Sequence, residues 1–326
     1  MKLTQLRDVV TVGERGSLRA AARHLGLAQP AITRSIREIE RELGVPLFER
    51  QTKGMVLTPM GERFVLRART VQDELRRARE EIDQLRGQTT GQVNVALSTV
   101  SHLALLPRSL AAFRTRFPEV LINIEEALYP NIEIPLITGK VDFYVGPLPE
   151  TSLPKDLSAE KLFDNKRVIL ARKGHPLAKA RSLRELVDAN WISTSITVQA
   201  SAELGPLFER HGLPLPRVRM QAHSALTMIV AAAHSDLLAM MPQQWCEFPW
   251  AAELLQAIEV EELLIAPPMH IVKRTRLPLT PASEFLCDLL RRAKPADAQP
   301  MAGELKARSV IRRVREAGSD SRRTRK

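Results

Sequence analysis

Cysteine is nearly missing from this sequence. Cys246 and Cys287 are the only two, and neither has a CxxC partner. A disulfide framework or a cysteine-built zinc site is therefore not expected, and reduced thiols in the cytoplasm are. Long apolar runs are missing too: no stretch of about 18 uncharged apolar residues occurs, so no membrane partner is expected. The opening segment MKLTQLRDVVTVGERGSLRA mixes acids and bases and does not read as a secretory signal. The seven histidines are scattered, and HExxH, GxSxG and a phosphate-cradling glycine loop are all absent. Catalysis is accordingly not expected, and neither a cofactor nor a metal site is read.

A third deficit is local. Residues 88–295 carry 22 Lys and Arg against 21 Asp and Glu, so the long middle has almost no net charge. Residues 1–87 carry 17 against 12, and residues 296–326 carry 9 against 4. The basic excess sits at the two ends, which suits an end that meets phosphate and a middle with another task. A chain of 326 residues with 44% hydrophobic content has room for about two domains with real cores.

In the first sixty residues, Leu3, Leu6, Val9, Val10 and Val12 give a helix with one apolar side, ended by Gly13 and Gly16. Ser17 is a good N-cap for a second helix, 18–25, with Ala21, Ala22 and Leu25 inward. Gly26 permits a tight bend, and Pro30 suits the first turn of a third helix, 29–43, that buries Ile32, Ile36, Ile39 and Leu43. Its other side carries Gln29, Thr33, Arg34 and Arg37, side chains able to bond base edges or phosphate. A three-helix bundle with a solvated polar face fits the periodicity as well. LFERQTKGMVLTP, 47–59, then reads as two short strands around a Lys-Gly turn, a wing with Arg50 and Lys53 near phosphate.

The unbroken segment GSLRAAARHLGLAQPAITRSIREIERELGVPLFERQTKGMVLTPMGE, 16–62, resembles the winged helix-turn-helix of LysR-type transcriptional regulators. The resemblance implies an N-terminal winged helix-turn-helix, 1–58; a long dimerisation helix, 59–88; and a C-terminal two-lobed α/β effector domain of the periplasmic-binding-protein type, 89–295. It implies double-stranded DNA and a small-molecule effector as partners, with RNA polymerase as a further one. Helix 29–43 would enter the major groove with Gln29, Pro30 and Thr33 at its reading end, and Ser17 beside the backbone. The family usually carries serine where this chain has Ala28.

From Thr58-Pro59 onward, Phe64, Ala68, Val71, Leu75, Ala78, Ile82 and Leu85 repeat at steps of four and three, a heptad seam between charged faces. A helix packed on its own domain is the competing reading. A dimer or tetramer built on this seam would pair two recognition helices and read a pseudo-palindromic operator.

Beyond Gly91, strands at 93–98, 120–127 and 141–146 alternate with helices at 102–116 and 131–138. A second set follows: strands near 167–172, 191–193, 217–221 and 237–240, helices near 182–188, 200–211 and 224–233. Strand 269–274 and helix 281–293 close the domain. By the resemblance, 92–163 with 267–294 form one lobe and 164–266 the other. In such sheets ligands bind at the carboxyl ends of strands. The candidates there are Ser98, Thr99, Val100 and Ser101 before a helix start; the family layout implied by the resemblance adds Tyr129, Ser193, Thr194, Ser195, His223 and Ser224, and each also reads as a cap or turn residue. SLRAAA and VAAAHSDLLAMMP are similar to the subgroup of galactose-binding-protein and toluenesulfonate regulators, which points to a sugar or an aromatic acid.

Past Lys294-Pro295 the chain turns basic and poor in apolar residues, and reads as a solvated tail or an additional DNA contact. The rival functions are a ligand-independent DNA-binding repressor and a cytosolic small-molecule-binding protein. The first would not need a neutral α/β middle, and the second would not need the helix-turn-helix.

Overall fold

A computed structural model describes residues 1–51, 54–148, 153–194, 204–222 and 224–294. Helices α1 (Leu3–Arg15), α2 (Leu18–Leu25) and α3 (Gln29–Leu43) close around Val9, Val12, Ala21, Ile32, Ile36 and Ile39. Two details of the sequence reading need correction. Gly13 lies inside α1, facing Leu57 and Val65, and Gly16 alone caps the helix at φ 64°. Leu43 is exposed, because the last turn of α3 has run past the core. The Ser17 hydroxyl accepts the Ala20 N–H at 3.0 Å and starts α2. Gly26, in the left-handed region at φ 64°, makes the turn into α3, a conformation glycine adopts without penalty. Strands β1 (Phe48–Gln51) and β2 (Gly54–Leu57) pair antiparallel as the expected wing. Lys53 lies outside the described residues.

Helix α4 (Pro59–Leu85) is capped by Thr58, whose hydroxyl accepts the Gly61 N–H at 2.9 Å. Its 27 residues reach about 40 Å. The continuing chain forms β3 (Gln92–Leu97), a π-helical turn (Ser101–Leu105) running into α5 (Leu106–Arg116), β4 (Leu121–Glu126), α6 (Glu133–Ile137), β5 (Phe143–Pro147) and β6 (Leu157–Arg172). Next come a 3₁₀ turn (Leu183–Leu186), β7 (Asn190–Thr194), α7 (Gly205–Arg210), β8 (Arg217–Ala222), α8 (Ala225–Ala233) and β9 (Leu237–Pro242). The chain closes with α9 (Gln244–Glu247), α10 (Pro249–Leu254), β10 (Leu255–Ile258), β11 (Ile265–Arg274) and α11 (Pro281–Arg292).

The strands lie in the order β4-β3-β5-β11-β6-β9-β7-β8, with β10 also on β6. β3, β4 and β5 are parallel, as are β7, β8 and β9, while β6 and β11 run antiparallel to their neighbours. Two cores result. One gathers Val93, Leu97, Phe113, Phe143, Ile271 and Leu286; the other gathers Ile169, Leu183, Trp191, Phe208 and Leu238. β6 belongs to both: its first part pairs with β11, and Arg167–Leu170 pair with β9. The sequence marked only 167–172 as strand. Residues 158–161, SAEK, are exposed and lack an apolar alternation, so β6 begins ten residues earlier than its hydrophobic signal.

Candidate DNA-reading face and effector site

The isoleucines of α3 turn its opposite side outward. Gln29, Pro30, Arg34 and Arg37 are exposed and Thr33 is half-buried. Together with Glu38 and Arg41 they line an open groove of about 750 Å³. Arg34, Arg37 and Arg41 follow at steps of three and four, so three guanidinium groups share one edge with a single carboxylate among them. Arg41 belongs to this face although the sequence reading omitted it; the same helical spacing would have found it. The Thr33 hydroxyl donates to the Gln29 carbonyl at 3.0 Å, within the helix. Ser17 is occupied as an N-cap, and Arg50 projects from β1 into solvent.

The effector candidates divide by what their polar atoms already do. The Ser101 hydroxyl donates to the Val145 carbonyl at 2.7 Å and lies 3.2 Å from the Ser98 hydroxyl; both serines are buried. They hold the end of β3 against β5 where the π turn begins; that start carries no side-chain cap bond, so these hydroxyls serve packing within the lobe rather than an N-cap. Val100 is buried, and Thr99 donates to Glu126 at 2.9 Å. Tyr129 sits in an apolar cluster with Ile132 and Tyr144, its hydroxyl donating to Glu133. Burial, with the Glu133 hydrogen bond and charge, pushes that phenol up to about 12. Tyr129 is thus committed to its own lobe. Ser193 is buried at the end of β7, and its hydroxyl donates to the Thr194 carbonyl at 3.3 Å. Ser224 is exposed at the start of α8 without a side-chain cap bond. Ser195 and His223 lie outside the described residues.

The two lobes meet at the π turn. Leu103, two residues beyond Ser101, packs onto the cluster of the second lobe that holds Ile192, Met228 and Trp245. Beside it the Gln244 amide donates to Asn165 of β6 at 3.0 Å, leaving its carbonyl oxygen unpartnered; the Trp245 indole N–H is likewise buried and unpartnered. Buried polar atoms are rarely left so. Neither residue stands out in the sequence, because Q-W carries no periodic signal in a four-residue helix. π-helical turns concentrate at functional sites, and this one lies at the lobe junction.

Residues 3–62 match the bacterial regulatory helix-turn-helix protein, lysR family, and residues 86–295 match the LysR substrate binding domain. The chain belongs to the LysR family of transcriptional regulators. A RuBisCO operon transcriptional regulator of Allochromatium vinosum is 31% identical over 248 residues, covering 72% of this chain and 80% of that protein. The HTH-type transcriptional regulator GbpR of Rhizobium radiobacter is 26% identical over 250 residues, 76% of this chain and 83% of that protein. Full-length CbnR in complex with its target DNA superposes with a TM-score of 0.68 at 20% identity, covering 90% of this chain and 100% of that one, which shows a shared fold.

As a LysR regulator the chain is a DNA-binding transcription factor with an effector-binding domain. No helix among the described residues is long and apolar enough to cross a membrane. The linker helix of this regulator departs from the simple seam drawn from the sequence. Ala68 is buried in the core of the winged-helix domain with Val65, and Phe64 packs against that core. These two seam positions are committed within the chain. Val71, Ile82 and Leu85 are 46%, 56% and 68% exposed, Leu75 is half-covered and Ala78 is open. The apolar stripe is therefore free only from Val71 onward.

Proposed function

We propose that this LysR regulator acts as a homo-oligomer that reads a pseudo-palindromic operator with paired α3 helices and is switched by a small molecule held between its lobes. One observation carries the reading: the polar edge Gln29–Arg34–Arg37 stands exposed on a helix anchored from behind by Ile32, Ile36 and Ile39. Arg and Gln so placed can bond guanine and adenine edges. The exposed stripe Val71–Leu75–Ala78–Ile82–Leu85 supports pairing through α4, since apolar side chains repeated on one side of a free helix favour a second copy. The working division is a DNA-binding domain to residue 58, a linker helix to 88, and an effector domain to 295. The cytoplasm, where the DNA is, is the expected location.

Between the lobes, Gln244 and Trp245 offer one acceptor and one donor, and Thr99, Thr194 and Ser224 stand at strand and helix ends. This set suits an uncharged or weakly acidic polar molecule, in keeping with a place among GbpR-like regulators and a sugar or aromatic acid as effector. The test is selection from a random duplex library with the full-length protein. Enrichment of an inverted repeat is expected; recovery of duplexes with no shared motif would end the proposal. A thermal-shift comparison of neutral sugars and aromatic acids then ranks the effector classes.

A further inference from the structure

Helix α4 is used in three ways: its apolar side first by the winged-helix core and then by solvent, and a side more than a third of a turn away by the first lobe. Val65 and Ala68 face the winged-helix core, Val71 and Ile82 face solvent, and Arg77 and Gln84 are buried against the first lobe at 5% and 7% exposure. The buried side is the polar one. Arg77 Nε donates to Asp142 at 2.9 Å, another of its guanidinium nitrogens reaches Glu74 at 2.6 Å, and a third donates to the Gly139 carbonyl. Glu74 also pairs with Arg274 at the end of β11. The second oxygen of Asp142 accepts the Asn94 N–H at 2.8 Å and the Ser283 hydroxyl at 3.1 Å. One heptad further on, Gln84 accepts the Ala282 N–H at 2.9 Å and donates to the Thr90 carbonyl at 3.0 Å. Every one of these partners outside α4 belongs to the first lobe or to the segment leading into it.

A buried ion cluster of this kind adds little net stability, because desolvation offsets the attraction. What it fixes is geometry: a forked guanidinium fits one arrangement of acceptors. Burial alone would raise the Glu74 carboxyl, but the hydrogen bond and charge of Arg274, joined by Arg77, outweigh it and hold Glu74 below its ordinary value. Glu74 thus stays ionised around neutral pH. Its position matters as much as its chemistry. Asn94 lies in the first half of β3 and Asp142 just before β5; Ser98 follows β3 at its other end, and Ser101 of the π turn bonds Val145 of β5, where the π turn meets the second lobe. From Asn94 to Ser98 is about 13 Å along an extended strand.

We propose that Glu74, Arg77, Asp142 and Arg274 are positioning residues that clamp the linker helix to the first lobe, so that movement of the lobes reaches the winged-helix domain as a rotation of α4 rather than being lost at the junction. This rests on the effector-switched reading above. The clamp makes α4 and the first lobe a single body. The N-terminal part of α4 is already part of the winged-helix core, so that body extends to the recognition helices. The second lobe, joined through β6 and β11, is then the element free to move against it.

The test uses the full-length protein and a duplex selected by the wild type from a random library. The double variant Arg77→Met, Asp142→Asn removes one cation and one anion and leaves the Glu74–Arg274 pair matched. Amide exchange of residues 78–87 and 280–284 should speed up by about tenfold. Duplex affinity should stay within about threefold of wild type, because no phosphate contact is removed. The DNA bend, read by end-to-end energy transfer at saturating protein, should change. Unchanged exchange, or faster exchange with an unchanged bend, would overturn the clamp. Should the double variant fail to fold, Arg77→Lys keeps the charge without the fork and is expected to give an intermediate exchange rate with a shifted bend; wild-type values in both would count against the proposal. If the wild type selects no duplex, the regulator reading fails, and the exchange arm still tests the clamp by itself.

Discussion

Ala28 opens α3 with extended backbone and no side-chain bond to the helix start, leaving the first turn to Pro30. A hydroxyl at this position would accept one of the free N–H groups, worth about 1 kcal/mol. Ala28→Ser is therefore expected to raise the melting temperature slightly and to keep or raise duplex affinity in an anisotropy titration; a clear loss of affinity would show that the methyl itself is needed. Arg37 makes no ion pair in which it could be held away from DNA among the described contacts, and it lines the groove between Arg34 and Arg41. Arg37→Ala is expected to weaken binding by about 1–3 kcal/mol if it bonds a base edge, with relaxed selectivity at one operator position. A uniform loss over all sequences, with a salt slope lowered by about one, would make it a phosphate contact instead.

At the scale of elements, α4 carries the clearest demand. An amphipathic helix in a lone chain buries its apolar side and shows water its polar one; the second half of α4 does the reverse. Val71, Ile82 and Leu85 stay open while Arg77 and Gln84 are covered. The double substitution Val71→Asp, Ile82→Asp is expected to give a monomer by light scattering, with far-ultraviolet circular dichroism retained because neither side chain supports the intrachain cores. Intact oligomers would move the subunit contact to another surface. The heptad was legible because its steps of four and three are periodic. Its division between two tasks was not: periodicity says that Phe64, Ala68 and Val71 share a side, but not that the winged-helix core has already claimed the first two.

For the whole molecule, the lobes share β6 and β11 and touch through Leu103 at the π turn. Two cores are joined by two strands, and Leu103 packs across from one lobe onto the other, so the angle between the lobes is expected to depend on that contact. Leu103→Ala should enlarge the radius of gyration in small-angle scattering and speed amide exchange in 165–170 and 265–270, with α1–α3 unaffected. Identical scattering and exchange would mean that the strand pairing alone sets the lobe angle.

The amino-acid sequence by itself determined the helix-turn-helix, the wing, the long linker helix and the α/β alternation, because each rests on local signals: helical spacing of isoleucines, a serine cap, a left-handed glycine, a Thr-Pro start. It also supplied the arginines and glutamine of α3, since a residue's side of a helix follows from its number alone. Only the tertiary structure decided that Ser98, Ser101 and Tyr129 spend their hydroxyls inside their own lobe, that the Gln244 carbonyl oxygen and the Trp245 indole N–H stand unpartnered at the lobe junction, and that Arg77 finds Asp142 sixty-five positions away. Such pairings depend on where the chain returns in space, and a charged side chain on a helix looks the same in sequence whether water or a buried carboxylate awaits it.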